Sequence, residues 1–245
     1  MPLGSVAEKR GLIYKEMAGT KLTADFFYPA GAGLHPAVIV VHGGGWTSRT
    51  GSMEWICQRI AQAGFVAINI TYRLAPESHF PKPVEDVRDA LKWLRAHNRE
   101  HEIDSGRIAG WGYSAGANIL LLAGLDSELG FKALVAGGTP ANLSGWPKSS
   151  QVKAYLGTEQ QQDPARWEAA SPVNKVSSGS PPVFLYHGSW DWIVRLEQMR
   201  MMEKALKTKG VAVESYVSPY MGHLLTYLIS QESVQRGIRF LQERL

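Results

Sequence analysis

Arg107-Ile108-Ala109-Gly110-Trp111-Gly112-Tyr113-Ser114-Ala115-Gly116-Ala117-Asn118-Ile119-Leu120-Leu121-Leu122 is the stretch that decides the fold. After Arg107 its first residues are apolar without strict polar alternation, which suits a strand covered on both faces. Its last six read as a helical run. Between them stands Gly112-Tyr113-Ser114-Ala115-Gly116, a G-x-S-x-G pattern on a strand-to-helix connection. A serine there sits on a sharp turn, with its Oγ at the C-terminal edge of the sheet and beside a helix N-terminus that favours negative charge. Alone, so short a pattern can arise by chance, and an ordinary glycine-rich loop would read the same way. Its position between strand and helix makes Ser114 a candidate nucleophile.

Working outward, apolar runs of the same kind recur at Ala37-Val38-Ile39-Val40-Val41, Phe65-Val66-Ala67-Ile68-Asn69-Ile70, Ala133-Leu134-Val135-Ala136 and Val183-Phe184-Leu185-Tyr186. Helical patterns separate them. Val84, Val87, Leu91 and Leu94 make one apolar stripe, and Leu196, Met199, Met202 and Leu206 make another. Leu224–Leu245 reads as one closing helix, and Leu12–Met17 with Leu22–Tyr28 as an opening hairpin around Ala18-Gly19. Strand and helix in alternation predict a doubly wound α/β sheet. Thr139–Pro182, rich in Gly, Pro, Ser and Gln, is too long for an ordinary connection. It reads as a substrate-covering excursion, a small lid, or a poorly ordered loop.

Composition narrows the class. The chain has 245 residues, 44% hydrophobic and 20% charged, enough for a buried core and too apolar for a disordered chain. The net charge is +4 with the basic residues scattered, which argues against a nucleic-acid groove. No apolar stretch approaches the ~20 residues of a membrane span. The single cysteine, Cys57, excludes an internal disulfide framework and an all-cysteine metal site. Met1-Pro2-Leu3-Gly4-Ser5 reads as a cloning scar, so residues 1–10 are taken as scar and tail and 11–245 as one domain. Localisation stays open between cytoplasmic and, if a leader was removed, secreted or periplasmic. Oligomeric state is not legible.

His42-Gly43-Gly44-Gly45-Trp46 directly follows the most apolar strand. Consecutive glycines let backbone N–H groups point into a cavity with no side chain in the way, which suits an oxyanion of acyl transfer. The N–H groups of Gly44, Gly45 and Ala115 are the candidate donors. A phosphate cradle is the competing reading, but neither a Gly-Lys-Ser/Thr ending nor a G-x-G-x-x-G helix start is present here.

A serine nucleophile needs a base and an orienting acid, which follow it in chain order on such a sheet as Ser, Asp/Glu, His. After Ser114 the histidines are His187 and His223, and the aspartates Asp126, Asp163 and Asp191. Asp191 lies just past one apolar strand and His223 just past the later strand Val211–Val217, both on the edge that carries Ser114. His187 precedes Asp191 and reads as part of the His187-Gly188-Ser189 turn.

Taken together, these residues resemble the α/β-hydrolase superfamily, and within it the hormone-sensitive-lipase-like esterases. The resemblance rests on His42–Trp46, Tyr72-Arg73-Leu74-Ala75-Pro76-Glu77, Phe80-Pro81, Gly112–Gly116, His187-Gly188-x-x-Asp191 and Gly222-His223. It implies a mostly parallel sheet of about eight strands with helices on both faces. It also implies Ser114 as nucleophile, His223 as general base, Asp191 as its orienter, and no metal or organic cofactor. Tyr72–Glu77 is expected to shape the loop beneath the glycine turn. Tyr113 stands where that family commonly has Asp, and only 41 residues precede His42, too few for its helical N-terminal cap. The chain is more similar to compact, capless relatives: acetylxylan or feruloyl esterase-like and kynurenine formamidase-like proteins.

The implied reaction is hydrolysis of a short-acyl ester, acetyl to butyryl, through an acyl-enzyme on Ser114. An amidase or formamidase on the same fold and a non-catalytic small-molecule receptor are the alternatives. The resemblance also implies a histidine that must be neutral to act as a base, so activity is expected to fall below about pH 6–7. Trp46, Tyr113, Trp146 and Trp192 are candidate substrate contacts, each equally open to a packing role.

Overall fold

The computed structural model describes residues 6–17, 19–50 and 52–245. Met1–Ser5 and Ala18 of the opening turn lie outside the described residues. The eight strands are β1 (Ala7–Met17), β2 (Thr20–Tyr28), β3 (His35–Val41), β4 (Val66–Ile70), β5 (Ile103–Tyr113), β6 (Leu134–Gly137), β7 (Val183–Gly188) and β8 (Val213–Ser218). They form one sheet in the order β1-β2-β4-β3-β5-β6-β7-β8. β2 runs antiparallel to both β1 and β4, and every later pairing is parallel. This is the expected fold class.

The apolar runs are uninterrupted because the central strands are covered on both sides. In β3, Ala37, Ile39 and Val41 join the core on one face of the sheet. Val38 and Val40 join the core on the other. The first core packs under α2 (Lys82–Ala96), α3 (Ala115–Gly124) and α6 (Glu197–Thr208). The second packs under α1 (Glu54–Gln62) and a C-terminal helix, with Trp111, Phe184 and Phe240 among its large side chains. α3 is buried along its whole length, so its run of Ile and Leu lacks the polar stripe of a surface helix.

Residues 139–182 carry two short helices, α4 (Ser150–Leu156) and α5 (Pro164–Ala169). Each has a side-chain cap: Ser149 Oγ accepts from the Val152 N–H, and Asp163 from that of Arg166, with Pro164 at the first helical position. Tyr155, Leu156 and Trp167 are fully buried, and the Tyr155 ring stacks on Trp46 at 4.8 Å. Ser and Pro are the commonest residues of this segment, while a few large side chains anchor it.

The closing helix is not continuous. It divides into α7 (His223–Ile229) and α8 (Gln231–Gln242) at Ser230, whose φ and ψ of −75° and 77° are not helical. The hydroxyls of Ser218, Ser230 and Ser233 bond one another at 2.7–2.8 Å in the interior. That buried trio fixes the corner, and apolar periodicity carries no trace of it.

Tyr72 and Arg73 behave as supports. The Tyr72 hydroxyl donates to the His42 carbonyl at 3.0 Å, and its ring stacks on the His42 ring. Arg73 Nε donates to the fully buried carboxylate of Asp86 at 2.8 Å, and Lys15 meets the same group at 2.7 Å. A charge taken out of water needs such partners.

Candidate active site

Ser114 occupies the turn between β5 and α3 at φ 54° and ψ −124°, a conformation L residues rarely adopt. Two glycines make room for it. A Cβ on Gly112 would lie 2.7 Å from Ala117 Cα, and one on Gly116 would run into the carbonyls of Val41 and His42. The Ser114 N–H donates to the Gly137 carbonyl of β6 at 2.8 Å, which ties the turn to the neighbouring strand.

His223 opens α7 and reaches Ser114 across 109 residues of sequence: its Nε2 lies 2.9 Å from Ser114 Oγ. Its Nδ1 lies 2.6 Å from Asp191 Oδ2. The other Asp191 oxygen accepts the N–H groups of Ile193 at 3.0 Å and Val194 at 2.8 Å. Burial pushes the Asp191 carboxyl up, but the hydrogen bonds from His187 and His223 and the backbone together outweigh it and hold the group at about 2. It is a carboxylate at neutral pH. An ionised acid against Nδ1 favours the histidine's hydrogen there and leaves Nε2 as an acceptor facing the Ser114 hydroxyl.

The glycine turn lies on the other side of Ser114. Gly44 and Gly45 have φ of 120° and 58°, available without strain to glycine. Among the described residues, no acceptor takes the N–H of Gly44, Gly45 or Ala115. Ala115 is the first residue of α3, so its N–H also carries the positive end of the helix dipole. The turn is braced from behind. His42 Nδ1 donates to the Gly43 carbonyl at 2.7 Å, and burial lowers the imidazole to about 4, so the ring is neutral at pH 7.

Of the aromatic candidates, Trp46 is a brace that also shows one edge to the site. It is 4% exposed, its indole N–H donates to Asn118 Oδ1 at 3.3 Å, and it borders a cavity beside Ser114. Trp146 borders the same cavity. Tyr113 borders a second one, its hydroxyl donating to the His223 carbonyl. Trp192 is 85% exposed and borders neither.

Three residues at the site gave little sign in sequence, and a fourth, His187, reads there only as part of a turn. Asn118 Nδ2 donates to the carbonyls of Pro140 and Ala170 at 3.0 and 3.1 Å, clamping the 139–182 segment to the turn. A lone polar residue in an apolar helix was the available signal. Gln151, on α4, lies against Gly45, where a Cβ would fall 2.6 Å from its Nε2. Ile193 follows the acid and is 60% exposed at the mouth. His187 is fully buried, with Nε2 2.7 Å from the Val194 carbonyl and 3.3 Å from Asp191 Oδ2.

Two cavities meet at Ser114. The smaller, about 100 Å³, is bounded by Trp46, Pro140, Trp146, Val152 and Val194. The larger, about 380 Å³, is bounded by His223, Leu224, Tyr227 and Leu228 on one side and the glycine turn on the other. A cavity of about 470 Å³ between α2 and residues 122–127 lies apart from these groups. No group of three or more His, Cys, Asp or Glu among the described residues could hold a metal ion, and no helix there could cross a membrane.

Residues 24–206 match the family model described as BD-FAE. Esterase LipC of Mycobacterium tuberculosis is 28% identical over 77% of this chain and 52% of its own length. Esterase LipQ of the same organism is 28% identical over 74% of this chain and 48% of its own. The chain therefore spans about half the length of these curated relatives. Among solved structures, the acetyl ester-xyloside bifunctional hydrolase from Caldicellulosiruptor lactoaceticus superposes with a TM-score of 0.82 at 26% identity, covering 92% of this chain and 89% of that one. The thermophilic esterase Est2 of Thermogutta terrifontis superposes at 0.80 and 24% identity over 99% and 92%, a likeness of fold.

Proposed function

The chain belongs to the BD-FAE family, and from that premise we propose that it is a serine esterase that hydrolyses short-acyl esters, acetyl to butyryl. One observation carries the reading: a single imidazole bridges the Ser114 hydroxyl at 2.9 Å and the Asp191 carboxylate at 2.6 Å. In the proposed reaction His223 takes the Ser114 proton as Oγ attacks the ester carbonyl. The N–H groups of Gly44, Gly45 and Ala115 receive the charge that develops on the carbonyl oxygen. The C–O bond to the alcohol breaks, and His223 returns the proton to the leaving oxygen. Water then adds to the acyl-enzyme through the same histidine, which frees the acid and restores Ser114.

The names of the relatives support this direction, since LipC and LipQ are called esterases and the superposed Caldicellulosiruptor protein an acetyl ester-xyloside hydrolase. The test is hydrolysis of p-nitrophenyl acetate and butyrate by the wild type and Ser114→Ala. A loss of about 10⁴-fold or more in kcat is expected. Equal, slow turnover by both proteins would refute the assignment.

A further inference from the structure

Resting on the esterase reading, we infer that the two cavities at Ser114 divide the substrate unequally, so that the protein takes short-acyl esters of bulky, largely apolar alcohols. The assignment follows from where the protons go. The tetrahedral carbon carries four groups: Ser114 Oγ, the oxyanion held at the glycine turn, the acyl chain and the leaving oxygen. The leaving oxygen must come within hydrogen-bond reach of His223 Nε2, because that nitrogen returns its proton. The alcohol therefore lies on the side walled by His223, the larger cavity. The acyl chain is left with the cavity His223 does not border, between Trp46 and Trp146.

Size and chemistry then set the class. At ~30 Å³ for each water-sized atom, a cavity of about 100 Å³ accepts about three carbons beyond the carbonyl. The cavity of about 380 Å³ accepts about a dozen. Leu224 and Leu228 of α7 wall it and are 58% and 54% exposed, costly apolar surface unless something covers it. An alkyl or aryl alcohol would cover it, and a bare sugar would not. Gln151 and Ile193 border both cavities and form the ridge between them.

The experiment varies one half of the ester at a time. One series holds p-nitrophenol and lengthens the acyl chain from acetyl to octanoyl. The other holds acetate and runs from methyl and xylosyl to hexyl and 1-naphthyl. In the wild type, kcat/KM is expected to fall at least tenfold from butyryl to octanoyl, and to be at least tenfold higher for hexyl acetate than for methyl acetate or acetylated xyloside, whose leaving alcohols are of comparable basicity. Trp146→Ala should raise octanoyl relative to acetyl about tenfold without reordering the alcohols; Trp146→Phe should do the same more weakly. Leu228→Asp, on an exposed position, should lower 1-naphthyl relative to methyl acetate about tenfold without reordering the acyl chains. Crossed effects, unmoved ratios, or preference for the xyloside would overturn the division while leaving an esterase. Absence of any Ser114-dependent hydrolysis in either series would instead remove the esterase reading, and the division with it.

Discussion

His187 and Asp191 are joined within one tight loop: His187 Nε2 lies 3.3 Å from Asp191 Oδ2, the oxygen that also meets His223. The same nitrogen donates to the Val194 carbonyl at 2.7 Å, so the ring ties the end of β7 to the loop that presents the acid. His187 touches no reacting atom and is a positioning residue. His187→Phe fills the space but lacks the N–H. It is expected to lower kcat on p-nitrophenyl acetate about tenfold with KM nearly unchanged, and to destabilise by ~1–3 kcal/mol. His187→Gln, which can donate again, should recover part of the kcat. Wild-type kcat in His187→Phe would mean that the Ile193 and Val194 amides hold Asp191 unaided.

Asp191→Asn keeps the shape of the acid and removes its charge. An amide nitrogen facing His223 favours the tautomer with the hydrogen on the wrong ring atom, and nothing then balances the imidazolium. A kcat loss of about 10³–10⁴-fold is expected, measured on the same ester. A loss under tenfold would take the orienting role from Asp191.

The buried His42 predicts a pH-dependent stability. Its folded value of about 4 lies below the ordinary 6.5, with burial the main cause and Arg49 adding to it. A depressed value means the unfolded chain binds the proton more tightly. The contribution is therefore complete above about pH 6.5 and is lost as pH falls toward 4. At about 1.4 kcal/mol per tenfold change in proton affinity, the full effect is ~3 kcal/mol. Urea midpoints measured from pH 7 to 4 should fall, and His42→Phe should flatten that part of the curve. A parallel decline in both proteins would assign the effect to other groups, Asp191 among them only below about pH 4.

Gly116→Ala places a methyl against the Val41 and His42 carbonyls, backbone atoms that cannot rotate away. The change should cost ~3 kcal/mol or more, since overpacking here separates β3 from the start of α3. Thermal unfolding reads this directly, and a melting temperature within about 2 °C of wild type would refute the close-packing account.

Much of this was legible in the chain because it is local. The β-branched run Ala37–Val41 is apolar at every position since both faces of β3 are covered. Gly112 and Gly116 are visible because the approach of α3 to β3 leaves no room for a side chain. Asp191 and His223 were reachable through chain order together with their places at strand ends on the edge that carries Ser114. What stayed hidden depends on residues meeting from distant segments. Gln151 has no motif, and only the folding of α4 onto the glycine turn puts it beside Gly45. The corner at Ser230 is set by two other serines, one of them in β8. Trp192 looked like Trp146 in sequence, yet one is solvent-exposed and the other borders a cavity.

The positive φ of Ser114 bears on how the protein fails. A residue held in that region stores ~1–3 kcal/mol, and neighbouring structure must keep it there. Its restraints are the Gly137 carbonyl of β6 and the close contact of α3 with β3. Loosening either would let the turn relax toward ordinary backbone angles and carry Oγ away from His223. The catalytic geometry is thus tied to the scaffold beneath it: Ser114 Oγ meets His223 only while β6 and the contact of α3 with β3 hold the turn.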